Sequence, residues 1–263
     1  MITPNPFDGP GPAEVHLSRA PLVNVLCQIR FPAIASLERK EFVAPFQEAV
    51  RHQYPTLVLD QGIELSFTPQ GGGFSHKVIW RMIDKSETWR VSVGDNFLSL
   101  ETKAYPGRTR FLDALTYLVE KMQATVQPDQ VERIGLRYIN RLVFTDWNHL
   151  SRLVQPGVLG IVQSTLSGHL KSTVSESRFR ISQDTTVNGK WGLLPENESY
   201  DPTVLPGISQ TSWILDIDGV SDSRVDFHPD AIMPVVNHLA DTDYRLFRFA
   251  VTDSLLHEYG GTA

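Results

Sequence analysis

The chain has one cysteine, no long apolar run, no excess of basic residues and none of the short motifs of the common enzyme classes, and each absence narrows what it can be. A single cysteine, Cys27, excludes an intramolecular disulfide and a cysteine-rich zinc site. It falls on the apolar side of an alternating stretch, where a buried, inert thiol is expected rather than a reactive one. No apolar run reaches the ~20 residues of a membrane helix. The opening residues, Met1 to Pro12, carry neither a cationic start nor an apolar signal core. The expectation is a bacterial-type cytoplasmic protein with no membrane association. A net charge of -6 argues against broad, nonspecific binding of nucleic acid, although a local basic face can survive in an acidic chain. No Gly-x-Ser-x-Gly elbow, Walker motif or kinase signature occurs, and the eight histidines include no His-Glu-x-x-His pair. Neither a cofactor nor a metal is expected.

At 263 residues and 41% hydrophobic, the chain can bury a substantial core. Leu22 to Phe31 alternates as a strand does, and Pro32 ends it. Ser36 can cap a helix carried by Phe42, Phe46, Ala49, Val50 and Tyr54, with Pro45 near its start or bending it. Short strands follow at Ile63 to Thr68, Phe74 to Ile83, Thr88 to Val93 and Phe97 to Ala104. Gly71-Gly72-Gly73, Asp84-Lys85-Ser86 and Gly94-Asp95-Asn96 separate them as antiparallel hairpin turns. Phe111, Leu112, Leu115, Leu118, Val119 and Met122 give a helix over Thr109 to Met122. Beyond it the spacing predicts a helix from near Asp146 to Leu153, strands at Leu166 to Val174 and Ser177 to Ser182, a turn at Asn188-Gly189 and a return at Lys190 to Leu194. Pro195 to Gln210 reads as a loop and the best candidate for disorder. A strand at Trp213 to Gly219, a helix from Pro229 to about Leu239 and a last helix capped by Asp241 or Thr242 complete the chain. The fold class is therefore α+β, antiparallel sheet with packed helices. The expected organisation is a flexible segment 1–20 and a single compact domain 21–263, with halves 21–145 and 146–260 that could be pseudo-duplicated.

The most informative stretch is Val131 to Phe144. Alternation puts Ile134, Leu136, Tyr138, Asn140, Leu142 and Phe144 on one face, and Arg133, Gly135, Arg137, Ile139 and Arg141 on the other. One face is core, with Asn140 its lone polar member, which then needs a backbone hydrogen bond. The other is a ladder of arginines spaced about 13 Å apart, each able to grip a carboxylate or phosphate bidentately. Two readings stand. Asp216, Asp218 and Glu101 could pair with the arginines across a sheet. Alternatively the ladder binds an acidic partner, and Gly135 lets another backbone or a ligand approach. The candidate binding residues are Arg133, Gly135, Arg137, Tyr138, Asn140, Arg141 and Glu101; no catalytic residue is assigned.

Other constellations carry less. Asp95 with Glu101-Thr102-Lys103 matches the acid, Glu-x-Lys pattern of metal nucleases, but a hairpin turn at Asp95 puts the carboxylates about 20 Å apart along the strand. Asp216, Asp218, Asp222 and Asp226 lack the spacing of a calcium loop.

The segment Arg133-Ile134-Gly135-Leu136-Arg137-Tyr138-Ile139-Asn140-Arg141 resembles the hallmark strand of a sporadically distributed, functionally uncharacterised family of prokaryotic proteins of about this length. Pro21-Leu22-Val23, Leu100-Glu101-Thr102 followed by Tyr105, and Phe247 to Thr252 support the likeness over nearly the whole chain. It implies a shared fold and an accessory or defence system as the setting, and supplies no catalytic residues. The resulting expectation is a non-catalytic binding or assembly module acting with a protein partner, with a homo-oligomer also open. Nucleic-acid binding along the ladder, or a hydrolase or nuclease with an unrecognised site, is the alternative.

Overall fold

The computed structural model describes residues 5–68 and 71–262, with side chains described outside 61–77 and 262. In chain order the elements are β1 (His16–Leu17), β2 (Leu22–Arg30), α1 (Lys40–Val50), β3 (Thr56–Thr68), β4 (Gly71–Ile83), β5 (Trp89–Gly94), β6 (Phe97–Thr102), α2 (Arg108–Thr125), β7 (Gln130–Val131) and β8 (Arg133–Val143). They continue with α3 (Trp147–Leu153), α4 (Pro156–Leu159), β9 (Thr173–Arg180), β10 (Thr185–Leu194), β11 (Ser212–Ser221), β12 (Val225–Asp226), α5 (Pro229–Ala250), α6 (Asp253–Glu258) and β13 (Gly261–Thr262). Nine of these strands belong to one large antiparallel sheet, and with the helices they make the fold α+β, as the alternating and helical spacings require. No described helix is long and apolar enough to cross a membrane.

The chain divides into two compact units, each discontinuous in sequence. Met1–Val25, Leu136–Ser221 and Asn237–Ala263 form one; Leu26–Gly135 and Asp222–Val236 form the other. The boundaries do not fall at residue 145, because antiparallel pairing joins segments distant in sequence: β1, near one terminus, pairs with β13, near the other.

In the unit that begins at Leu26, β3, β4, β5 and β6 follow one another as hairpins. Val91, Val93, Leu98 and Leu100 are fully buried, as are Phe46 and Val50 of α1 and Leu115, Leu118, Val119 and Met122 of α2. The Tyr117 hydroxyl ties the two helices by donating to Ala49 O at 2.9 Å. Pro45 lies inside α1 rather than at its start. β3 begins seven residues before Ile63, and the pairing runs from Thr56↔Ile83 to Thr68↔Gly71. Gly71, Gly72 and Gly73 are thus strand residues and not the hairpin tip; the joining residues 69–70 lie outside the described residues.

The other unit orders its strands β8, β11, β10, β9. Trp213, Leu215 and Ile217 of β11 pack with Leu246, Ala250 and Val251 in a single apolar cluster. Several local expectations fail here for physical reasons. Asn188-Gly189 is mid-strand in β10, paired with Asp218 and Ile217 of β11, and packing explains the glycine, since a side chain there would come within 2.8 Å of the Trp191 ring and 3.2 Å of Leu246. The turn falls instead after Ile181, where Ser182 Oγ accepts from the N–H groups of Asp184 (3.2 Å) and Thr185 (3.0 Å). Leu166 to Val174 is not a strand: Leu166 is 57% exposed, and β9 starts only at Thr173. α5 runs through Asp241-Thr242, since the Thr242 hydroxyl donates back to His238 O (2.7 Å) within the helix. The cap of the last helix is Thr252, whose Oγ1 accepts from Leu255 N. Of the segment 1–20, the described part makes defined contacts. Arg245 donates to Pro6 O (3.2 Å) and Gly9 O (2.9 Å), and the Phe7 ring lies 5.9 Å from that of Phe179.

Candidate functional site

β8 carries the arginine ladder as the alternation dictates, but its second face is not open throughout. Ile134, Leu136 and Leu142 are at most 1% exposed on the first face. Asn140, 4% exposed beside them, donates from Nδ2 to Leu215 O of β11 at 3.2 Å, the backbone bond expected of it. On the second face Ile139 is also buried, in a cluster with Leu194, Leu205 and Ile214 against which Val23, Tyr200 and Val204 pack. Residues 195–210, read from the sequence as a loop and the best candidate for disorder, supply that cover. Leu205 is completely buried, Asn197 N donates to Ile208 O at 2.6 Å to close the neck of the segment, and Asn24 Nδ2 donates to Val204 O. Three apolar anchors among its prolines and polar residues outweigh the composition.

Under this cover Arg137 is bound within the chain. Its Nε and Nη2 donate to Asp216 Oδ1 and Oδ2 at 2.9 and 2.8 Å, a side-on bidentate pair, and Asp201 Oδ2 lies 3.4 Å away. The Tyr200 hydroxyl donates to Asp216 Oδ2 at 2.6 Å. Burial opposes the charge of Arg137, but its hydrogen bonds to Asp216 and the charge of that carboxylate win and raise its pKa. Burial first, then the Asp216 charge, pushes the Tyr200 hydroxyl up, so it remains a donor. At Arg137 the cross-strand pairing reading therefore holds, with Asp216 as the expected acid. Tyr200 and Asp201 were not legible, because only the folded path of the covering segment brings them there.

The remaining candidates separate. Arg133 is half-buried and only loosely paired with Asp222, at 3.9 Å. Gly135 and Tyr138 are half-buried. Arg141 is 9% exposed and its Nη1 donates to Pro206 O at 2.7 Å. Glu101 is buried and bound by Arg90, its cross-strand neighbour between β5 and β6. Among the described residues no three or more His, Cys, Asp or Glu side chains come together as metal ligands would. A polar cleft of about 660 Å³ lined by Gln123, Gln127, Asp129, Asp226 and His228 is present in the unit that begins at Leu26.

The two outer strands of the sheet differ in a way the sequence did not disclose. β9 alternates Glu176, Arg178 and Arg180 along its length, charges that guard a free edge against pairing. The described part of β3 instead exposes Leu57, Val58 and Leu59 at 37, 42 and 46%. Consecutive strand residues point to opposite faces, so the edge is apolar on both. Its one charge there, Asp60, is held by Arg81 at 2.7 Å.

No family model matches this chain, and no curated protein matches it either.

Proposed function

We propose that the chain is a non-catalytic binding or assembly module that receives an extended segment of a protein partner along the β3 edge. The observation that carries this reading is the exposed Leu57-Val58-Leu59 run on an outer strand. An outer strand offers unpaired N–H and C=O groups to an incoming strand, and apolar side chains on both faces add contacts that water disfavours. Folded chains blunt such edges when they serve no purpose, as β9 does with charge. The arginine ladder gives weaker support to nucleic-acid binding, since Asp216 neutralises Arg137 and the chain carries a net charge of -6. A hydrolytic site would need free carboxylates, and Glu101 is engaged by Arg90.

The test is purification from the native source, identification of what accompanies the chain by mass spectrometry, and reconstitution with purified components. Replacing Leu57 and Leu59 by lysine should leave the melting curve in place, both being exposed, and weaken partner binding by at least ~2 kcal/mol, as loss of interface anchors does. Unchanged binding by this variant would overturn the assignment. A dimer of the chain itself, dissolved by the same substitutions, would make a second copy the occupant of the edge.

A further inference from the structure

We infer that Arg141 anchors a carboxylate-binding site roofed by residues 197–208. The starting point is an asymmetry between two arginines on one face of β8. Arg137 uses its Nε and Nη2 to hold both oxygens of Asp216. Arg141, one repeat further along, is buried to 9% exposure and uses Nη1 for Pro206 O, while its Nε and Nη2 are buried with no acceptor among the described residues. These are the same two donors, on the same side-on edge of the guanidinium, that match a carboxylate in the Arg137 pair. A guanidinium keeps its charge when buried, so an edge left without an acceptor is one that a ligand acceptor would stabilise.

The surroundings specify the ligand. Burial lowers the pKa of Arg141, and among the described residues no carboxylate is hydrogen-bonded to it. One guanidinium balances one negative charge, so a monoanionic carboxylate suits the edge better than a phosphate dianion. The roof is built to stay: Asn197 N donates to Ile208 O, and a side chain on Gly207 would come within 2.6 Å of Asn197 O, so glycine lets the two limbs close. The Pro206 carbonyl holds Nη1, which leaves Nε and Nη2 as the donors for a ligand.

The experiment follows the arginine Nε–H resonances of the intact chain by nitrogen-15 NMR during titration with acetate, with phosphate, and with chloride at matched ionic strength. The expected result is a saturable shift at Arg141 with acetate, at least about tenfold weaker binding of phosphate, no saturation with chloride, and no change at Arg137. Arg141→Lys should abolish the saturable response, and the wild-type titration stands by itself if that variant does not fold. A peptide with a free C-terminal carboxylate that shifts the same resonance, while its amidated form does not, would assign the carboxylate to a polypeptide end; acetate binding alone would assign it to a small acid. No saturable shift with any carboxylate, or an equal response to chloride, would overturn the inference.

Discussion

Replacing Arg137 by alanine removes the cation from a pair that the covering segment shields. Asp216 is 5% exposed at its side chain and would keep one donor, the Tyr200 hydroxyl, in place of three. Breaking a buried pair by deleting one partner costs about 3 to 5 kcal/mol, because the remaining charge is uncompensated. Arg137 itself is 22% exposed at its side chain, and water entering the space it vacates would partly solvate Asp216, so the loss should fall near the lower figure, about 3 kcal/mol. Urea unfolding should show a lower midpoint with an unchanged slope. In a double-mutant cycle with Asp216→Ala the losses should be strongly non-additive, by ~1 kcal/mol or more, since either substitution removes the same bidentate contact. An Arg137→Ala variant within ~0.5 kcal/mol of wild type would show that the pair is worth no more than an exposed one and would refute the reasoning.

Other outcomes follow from single side chains. Asp243 is buried, and that burial, followed by the field of Asp218, raises its pKa well above the usual carboxylate range against the opposing backbone N–H of Gly219. The folded state therefore holds this proton where the unfolded state has lost it, so its contribution to stability falls as pH rises above the ordinary aspartate range. Asp243→Asn should stabilise the protein, more at about pH 8 than at about pH 5, as thermal melts at the two values would show. Asn140→Ala removes the bond to Leu215 O and should cost more than ~1 kcal/mol in denaturant unfolding. Cys27 is fully buried, with its pKa pushed up to about 12 by that burial, so a thiol reagent should label it only at the rate at which the chain opens.

How far the sequence was legible depended on whether a signal was local. Helix α2 was readable because Phe111, Leu115, Leu118 and Met122 repeat at the helical period, and β8 because its alternation is nearly unbroken. Asn140 stood out as a polar residue among apolar ones, and its backbone partner followed from that. What failed depends on residues far away in the chain. Gly189 reads as half of an Asn-Gly turn until Leu246 is known to press against it. Residues 195–210 read as a loop and the best candidate for disorder until Leu205 is seen in a cluster with Ile139 and Ile214. The β3 edge is hidden in the sequence, where the strand pattern begins at Ile63 and leaves Leu57 to Leu59 outside any element, and no local pattern tells an outer strand from an inner one. The Arg137 and Arg141 difference was likewise hidden, since both sit in the same alternation and diverge only in what faces them.

The central claim, that β3 accepts a partner's extended segment, is tested most directly by backbone amide hydrogen exchange over residues 56–60, measured on the free chain and on the reconstituted complex. Strand addition predicts that the outward-pointing amides of this stretch exchange freely alone and become protected in the complex, while those of the charged edge at β9 do not change. A complex that forms with full affinity and leaves exchange across residues 56–60 unaltered would contradict it.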